Sequence, residues 1–565
     1  MVDKILHKCC GVPLAIITIG SVLIGKLVDM EEWSKLYSSI GFGNEENNVV
    51  ENTRKILLFS YYDLPLHLRT CLLYLSQYRE DVLIEKDSLL WRWVAEGFVY
   101  EEQGIGLYDI AERYFNDLIN RSMIQPIGFS HDGIISHCRV HDMVLDMTRL
   151  LAKEENFITL LDGNEQNTYP ICSNAHRLAI RDKKGLIDTC MTHLRSFNAI
   201  RCDKFWPSLS SFQALRVLVL DAGNCNMDNT NHLEHLGKLI HLRYLGLRGV
   251  DTLELPKEIG NLKKLQALDL RGHRIQELPH GVGQLSHLKL LRADTTQTRI
   301  PDWIGNLTSL EELWMSEADE SSNFVKELGK LMELRKLCIT KKLCLTSTSA
   351  VEAWAKSVTK LLKIQFIRIG WVELNGYDDS TYCWEGFIPP RQLRALHISC
   401  KPLGLIARIN PMLLPNLSHL SVHVDSPDLE TFGRFLELVT LRLDMDGIQH
   451  HDVMGRQGAF PKLRVFKTQA TPGLFLEGSM PSLESLHFRV EARTSEDGKV
   501  DHFDFHSLRN LPLLQEVTVD IWLAPGVDLN KAMQMVKRAI EILPNPPILH
   551  MKITKSAWLD ELFPC

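Results

Sequence analysis

The 565-residue chain lacks the features that mark several common classes of protein. It has no basic excess, because 63 Lys and Arg residues stand against 70 Asp and Glu and the formal net charge is −7. Nucleic-acid binders usually concentrate positive charge on one surface, so we expect no nucleic acid among the partners. The 13 cysteines are odd in number and contain no C-x-x-C pair, which argues against a zinc ribbon or a disulfide-dense secreted module. A reduced, cytosolic chain is the simplest expectation.

The N-terminal apolar run is too short to cross a membrane. It reads GVPLAIITIGSVLIG at 11–25, whereas a spanning helix needs roughly 18 apolar residues or more. Basic residues precede the run, as in a signal peptide, but the following KLVDMEEW offers no small-x-small cleavage site. Sequons at Asn120, Asn306 and Asn416 add little, because N-x-S/T is a short pattern. Secretion stays a weaker alternative.

Catalytic and metal-binding signatures are missing too. The chain has no G-x-S-x-G or H-E-x-x-H motif, and the histidines around Cys138 match no common zinc spacing. GSVLIGKL at 20–27 has the spacing of a phosphate-binding loop, but Leu27 stands where a metal-binding hydroxyl belongs. Its apolar character instead predicts a helix that begins at Pro13. We therefore predict no enzyme, no catalytic residues and no metal site.

What the chain does contain is a long repeat. The frame L-x-x-L-x-L, with conservative replacements, begins thirteen times, at 215, 242, 265, 288, 310, 334, 364, 393, 417, 438, 463, 483 and 514. This pattern is typical of leucine-rich repeats, in which each repeat contributes one strand to a horseshoe. A single repeat cannot bury its own leucines, so stacked repeats share one core. The sequence predicts an α/β leucine-rich-repeat solenoid over 191–565.

The first 160 residues have a different periodicity. Apolar residues recur at three-to-four spacing over 54–78, 88–99 and 106–124, which predicts three helices. The Gly-containing stretch at 125–139 suits a β-hairpin, and VHD at 140–142 opens a further helix. This order predicts a winged-helix module, mostly α with one β-hairpin.

Several motifs resemble those of plant disease resistance proteins. GVPLA at 11–15, YYDLPLHLRTCLLYLSQYRED at 61–81, WRWVAEGFV at 91–99 and VHD at 140–142 resemble the coiled-coil type of nucleotide-binding leucine-rich-repeat (NB-ARC-LRR) protein. The proline-punctuated loops ELPKEIGNLKKL, ELPHGVGQLSHL and RIPDWIGNLTSL resemble its intracellular plant repeats. The resemblance implies a multidomain chain truncated at its N-terminus. Its parts would be the end of the NB-ARC helical subdomain (1–45), a winged helix (46–160), a connector (161–190) and the repeats (191–565).

The same resemblance implies a nucleotide site. In that family the proline of the GLPLA motif packs on adenine, and the histidine of the MHD motif contacts the terminal phosphate of ADP. Pro13 and His141 match these residues, with Asp142 beside the histidine. A helix N-terminus with an imidazole favours a phosphate, although His141 could instead only cap its helix. Because the family's phosphate-binding loop lies upstream of GLPLA, we do not expect tight ADP or ATP binding by this chain.

The side chains between the repeat leucines form a predicted concave strip. It consists of Arg248, Arg271, Arg292, Trp314, Arg368, His397, Arg442, Lys467 and His487. Trp and Arg commonly anchor interfaces, although a solvated polar face is the plain alternative. The resemblance implies two uses: binding a pathogen effector or guarded host protein, and docking the protein's own nucleotide-binding domain in cis or in trans.

The predicted function is therefore an intracellular immune receptor fragment, cytoplasmic, nuclear or peripheral to the plasma membrane. An extracellular repeat receptor and a nucleotide-independent repeat adaptor or decoy stay open as alternatives.

Overall fold

A computed structural model describes most of the chain. The described residues are 9, 12–24, 49–129, 135–162, 176–182, 191–201, 208–221, 233–249, 255–272, 277–293, 301–319, 323–345, 347–373, 388–399, 411–424, 429–445, 456–492, 505–523 and 527–555. The chain forms two compact units. The first contains residues 1–130 and 135–295, and the second contains 296–565.

The first unit begins with helix α1 (Pro13–Ile24). Ala15, Ile19 and Val22 of this helix pack on Ile56 of the next one in a small apolar core. Gly20 lies inside α1, so this part of the near-match to a phosphate-binding loop is helical, as predicted. The remaining positions of that match, 25–27, lie outside the described residues.

The winged helix follows. Its helices are α2 (Val49–Asp63), α3 (Leu66–Leu73), α4 (Lys86–Glu96), α5 (Leu107–Asn120) and α6 (Asp142–Glu154), with a 3-10 turn at Tyr74–Gln77. The predicted single helix over 54–78 is wrong, because the chain breaks at Leu64 and Pro65. Proline lacks an N–H group and disfavours helical geometry in the residue before it.

A small antiparallel sheet completes this domain. The predicted hairpin is present as β2 (Gln125–Phe129) and β3 (Ile135–Arg139), while its central residues lie outside the described ranges. The sequence did not predict β1 (Ile84–Glu85), which pairs with β3. Because β1 leads directly into α4, the pairing of Glu85 with His137 fixes where Glu85 stands at the start of that helix.

In the described part of the first unit, seven parallel strands form a ladder, each paired with the next along the chain. They are β4 (Thr159–Asp162), β5 (Arg177–Arg181), β6 (Ser196–Ile200), β7 (Val217–Asp221), β8 (Tyr244–Arg248), β9 (Ala267–Asp269) and β10 (Leu290–Ala293). The strands β4 and β5 precede residue 191, so the ladder begins earlier than the predicted repeat boundary and includes part of the predicted connector.

Short 3-10 helices lie between these strands, at Leu209–Ser211, Leu236–Lys238, Lys257–Asn261 and His280–Gln284. Pro256 and Pro279 each precede one of them, which agrees with their predicted place in the connecting loops. Successive turns approach closely, since a Cβ at Gly281 would lie 2.3 Å from the Lys257 carbonyl oxygen. Glycine is therefore required where these repeats stack.

Among the described residues of the second unit, ten parallel strands form a ladder. They are β11 (Glu312–Asp319), β12 (Lys336–Cys344), β13 (Phe366–Glu373), β14 (Ala395–Ile398), β15 (His419–His423), β16 (Thr440–Asp444), β17 (Val465–Thr468), β18 (Ser485–Ala492), β19 (Glu516–Leu523) and β20 (Ile548–Lys555). All thirteen predicted frames coincide with strands of the two ladders.

Helices connect the strands of the second unit. They are α7 (Phe324–Leu328), α8 (Thr348–Thr359), α9 (Leu429–Phe432) and α10 (Leu529–Glu541), with 3-10 helices at Asp302–Asn306, Pro411–Leu413 and His506–Asn510. The frame leucines form the core; Leu334, Leu417 and Leu483, for example, are fully buried. This packing follows the leucine-rich-repeat principle that neighbours bury what one repeat cannot.

Candidate functional site

The VHD motif lies at a helix start, as predicted. His141 is the N-cap of α6, and its Nδ1 accepts a hydrogen bond from the Met143 backbone N–H at 3.3 Å. The His141 side chain is half-buried, and Asp142, the first residue of α6, is exposed. Pro13 is also exposed at the start of α1, which packs on α2, and α2 packs in turn on α6. The nucleotide-binding roles of these three residues stay predictions.

The concave strip forms an aligned row in the second unit. Strand pairing places Trp314, Arg368, His397, Arg442, Lys467 and His487 at the same register position of successive strands, with Cys338 and Ser421 between them. Side chains at this position alternate with the buried leucines. The structure therefore brings these six predicted residues onto one face, while their role in partner binding stays a prediction.

Charged and aromatic side chains flank this row near its C-terminal end. His487 Nε2 lies 2.9 Å from Asp520 Oδ2, and burial lowers the pKa of His487 despite this carboxylate. The guanidinium of Arg489 lies over the Trp522 ring, 4.7 Å from its centroid. Sequence analysis missed Trp522, because it lies four positions beyond the strip position of β19.

The other three strip residues face the winged helix within the first unit. Arg292 donates a hydrogen bond from Nη1 to Glu85 Oε1 at 2.7 Å. Arg271 Nη1 forms an ion pair with Glu85 Oε2 at 2.5 Å. Arg248 Nη2 lies 3.4 Å from the same Oε2. Arg292 also donates through Nη2 to Asp87 at 3.1 Å. One carboxylate at the start of α4 is thus shared by three repeat arginines.

A second carboxylate binds the same arginines from the repeat side. Asp269 is fully buried and accepts from Arg271 Nε at 2.8 Å and from Arg248 Nη2 at 2.9 Å. Ser88 of α4 donates its hydroxyl to Asp269 at 3.2 Å, and so does Tyr244. Glu85, Asp87, Ser88, Arg248, Asp269, Arg271 and Arg292 together form what we call the docking cluster.

The electrostatics of the docking cluster favour its charged form. Burial acts to raise the pKa of Asp269, but Arg271 and Arg248 outweigh it and hold this pKa well below its usual range. Burial likewise acts to raise the pKa of Glu85, and the three arginines again reverse the sign. Both carboxylates are therefore ionised at neutral pH, and each is matched by guanidinium groups.

Further contacts extend the docked surface along the ladder. Asn198 Nδ2 donates to Gln77 Oε1 at 2.8 Å, and Arg177 Nε donates to Glu96 Oε2 at 3.0 Å. Arg92 of α4 lies over the Tyr244 ring, 5.5 Å from its centroid. The winged helix therefore contacts strands from β5 to β10.

Gly246 keeps room for the Tyr244 side chain in this surface. A Cβ at Gly246 would lie 2.9 Å from a Tyr244 ring carbon. Tyr244 is fully buried and supplies one of the hydrogen bonds to Asp269. A larger residue at 246 would displace that ring and disturb the docking cluster.

The winged-helix half of this site was not predicted from the sequence, since Glu85 and Asp87 were not among the predicted site residues. A usable signal was present, since acidic residues at the start of α4 complement the concave arginines. The missing information was the strand β1, which depends on a tertiary pairing with β3. The site as observed contains arginine-paired carboxylates suited to holding two domains together.

Two family models match this chain. The model described as "Leucine-rich repeat region" matches residues 193–549. The model described as "Disease resistance protein Winged helix domain" matches residues 78–148. Both predicted domain types are therefore confirmed.

Relatives with similar sequences are plant disease resistance proteins by name. Disease resistance protein PIK6-NP of Oryza sativa subsp. japonica is 34% identical over 267 residues, which cover 46% of this chain and 25% of that protein. Disease resistance protein RGA5 of the same organism is 27% identical over 552 residues, covering 93% of this chain and 48% of the relative. Disease resistance RPP13-like protein 4 of Arabidopsis thaliana is 29% identical over 434 residues, which cover 74% of this chain and 50% of that protein. The chain spans half or less of the length of these relatives.

Among solved structures, a leucine-rich-repeat protein of Leptospira interrogans is similar, with a TM-score of 0.46 and 16% identity. The match covers 68% of this chain and 92% of that one. Within the described ranges, no helix combines the length and apolar character that a membrane span requires.

Proposed function

The chain belongs to the leucine-rich-repeat family, and from that premise we propose that it is the sensing and regulatory part of an intracellular plant immune receptor, not an enzyme. The observation that carries this proposal is the docking cluster, in which the winged helix occupies one end of the concave strip. Relatives named as disease resistance proteins, and a winged helix of the disease-resistance type, support the same role.

The docked arrangement represents the resting state in this proposal. Glu85 and Asp87 hold the winged helix on Arg248, Arg271 and Arg292, and this contact restrains the domain that would signal. A ligand shifts such an equilibrium only if it binds one state more tightly than the other. Activation would therefore require a partner that favours the undocked state.

The second-unit row is the proposed recognition surface. Its cationic and aromatic members, among them Trp314, Arg368 and Arg442, suit a protein partner with acidic groups. A pathogen effector or a guarded host protein is the partner class that we propose.

The proposed cofactor is ADP or ATP, and the residues present fit a limited part of its contacts. Because His141 Nδ1 accepts the Met143 N–H, a neutral ring carries its proton on Nε2, which is then a donor for an anion. The exposed Pro13 ring offers an apolar surface for a base. When bound, the nucleotide would supply a phosphate charge that distinguishes the two receptor states. These residues alone would hold it weakly.

The test uses leaf tissue that expresses the chain joined to the upstream domains of a full-length relative. Glu85→Arg should give cell death without a pathogen, because it places a cation among three arginines. His141→Ala and Asp142→Val should do the same if the motif holds the diphosphate state. The matched control is Glu102→Gln, which removes an exposed carboxylate of the winged helix that pairs with Arg113. Silence from all three variants at normal protein levels would contradict the proposed role.

A further inference from the structure

A cavity of about 770 Å³ lies between the winged helix and the first repeats, inside the first unit. Its volume falls in the range of small-molecule sites, roughly 300–1,000 Å³. Six arginines and four carboxylates line it. The arginines are Arg79, Arg92, Arg181, Arg201, Arg248 and Arg271. We call this space the arginine cavity.

Three of the lining carboxylates pair with arginines, partly with those of the lining itself. Glu80 pairs with Arg149 at 3.1 Å, outside the lining, and Asp182 forms an ion pair with Arg79 of the lining. Glu85 is engaged by the arginines of the docking cluster. With six arginines against four carboxylates, the lining has a formal excess of positive charge.

Two lining arginines are buried with incomplete partners. The Arg181 side chain is 3% exposed, and its Nη2 reaches Asp162 only at 3.9 Å. Its Nε and Nη1 have no hydrogen-bond partner among the described residues. Arg92 is 5% exposed and donates to the neutral Tyr78 hydroxyl at 3.0 Å, while its Nε also lacks a partner in the described ranges. A buried cation is costly unless an anion accompanies it.

The rim of the cavity carries charge at positions that favour glycine. Asp182 and Arg201 follow strands β5 and β6 with φ of 47° and 52°. At the aligned position after β8 and β9, the chain has Gly249 and Gly272, with φ of 73° and 78°. A non-glycine residue in this left-handed region strains the backbone, because its Cβ lies too close to the following carbonyl oxygen. Charged side chains are therefore placed at the rim despite a backbone cost.

We propose that the arginine cavity binds a small phosphate-bearing anion, held by Arg181 from the repeats and Arg92 from the winged helix, with Arg201 at the rim. Phosphate oxygens match the planar fork of guanidinium donors. Because the ligand contacts both domains, it stabilises their docked arrangement. The site is separate from the predicted nucleotide contacts at Pro13 and His141, and it does not depend on the proposed immune function.

The experiment measures binding of sodium tripolyphosphate to the purified 565-residue chain by calorimetry and thermal shift. Ionic strength is held constant, and sodium sulfate serves as the ionic control. We expect saturable binding and a melting temperature that rises with tripolyphosphate concentration, as linkage requires. Arg181→Met should weaken binding about tenfold or more, because methionine keeps an unbranched apolar side chain but lacks the charged hydrogen-bond donors of arginine.

Two further variants keep the test decisive. Arg201→Gly removes the rim charge and suits the left-handed backbone, so it should fold at least as well as the parent while binding tripolyphosphate more weakly. Arg113→Gln, at an exposed position that does not line the cavity, should bind like the parent. The proposal is overturned, and water is left as the occupant, if tripolyphosphate acts no differently from sulfate or if the Arg181 and Arg201 variants bind it as tightly as the parent does.

Parallel titrations distinguish the source of the phosphate. ADP that needs Arg181 but tolerates His141→Ala would identify nucleotide phosphates as the ligand of the arginine cavity. If tripolyphosphate binds and Arg181-dependent ADP binding is not seen, the ligand of the arginine cavity is a phosphate compound without a nucleobase.

Discussion

Glu85→Gln should loosen the winged helix from the first repeats. The substitution keeps the size of the side chain and removes the charge that three arginines share. Hydrogen bonds to charged groups contribute about 1.5–3 kcal/mol each, whereas exposed pairs contribute at most about 1 kcal/mol. The Glu85 side chain is 22% exposed, and its arginines keep Asp269 and Asp87 as partners, so we expect a total loss of about 2–3 kcal/mol.

That loss corresponds to an undocked population about 30 to 140 times larger than in the parent. Hydrogen exchange by mass spectrometry should detect it as faster exchange in α4 and in the facing strands β8 to β10. Amides of α5, which lies in the winged-helix core, should keep their protection because the domain itself stays folded. The control Glu102→Gln should leave every segment unchanged. Parent-like exchange in α4 and β8–β10 of Glu85→Gln would refute the assigned role of this carboxylate.

Three other predictions follow from the same contacts. Asp269→Asn should lower the free energy of unfolding by about 3–5 kcal/mol, because it leaves buried guanidinium groups without their anion; urea denaturation checks this, and a loss under 1 kcal/mol would contradict it. Both Asp269 and Glu85 have lowered pKa values in the folded chain, so their contribution is present above the ordinary carboxyl range and is lost as the pH falls below about 4. Hydrogen exchange or fluorescence measured from pH 7 to pH 3 should therefore report undocking at the acid end. Undocking already near pH 6 would mean that these carboxyl pKa values are raised and not lowered. Finally, calorimetry of the purified chain should give no His141-dependent ADP binding of micromolar or tighter affinity. ADP binding of that strength that is lost in His141→Ala would show that Pro13 and His141 belong to a more complete site.

The repeat architecture could be predicted because its signal is local and recurrent. Each frame places leucines at fixed spacing, and these are the residues that the stack buries. The strands β4, β5 and β20 lack that leucine frame and contain residues such as Ile180 and Leu549 instead, so the pattern did not predict these three strands. The helix break at Pro65 could have been predicted from the proline itself. However, apolar residues recur at helical spacing on both sides of it, and this pattern favoured a single helix.

The docking cluster could not be predicted in full, because it depends on distant parts of the chain. The positions of the concave side chains follow from the frame, and strand pairing places the second-unit residues at one register position. Glu85 gains its place only through the two-residue strand β1 and its pairing with β3. The register of the repeats then determines which arginines meet it. Neither contact leaves a periodic pattern in the sequence.

We propose that charge complementarity between the winged helix and the first repeats holds the receptor at rest. The most direct measurement is a charge-swap cycle in leaf tissue with the upstream domains joined to this chain. Glu85→Arg and Arg292→Glu should each cause cell death without a pathogen. The double variant should be less active than either single variant because one pair of opposite charges is restored, while Arg248, Arg271 and Asp87 keep the rescue partial. Equal activity of the double and single variants, or silence of both single variants at normal protein levels, would contradict the account.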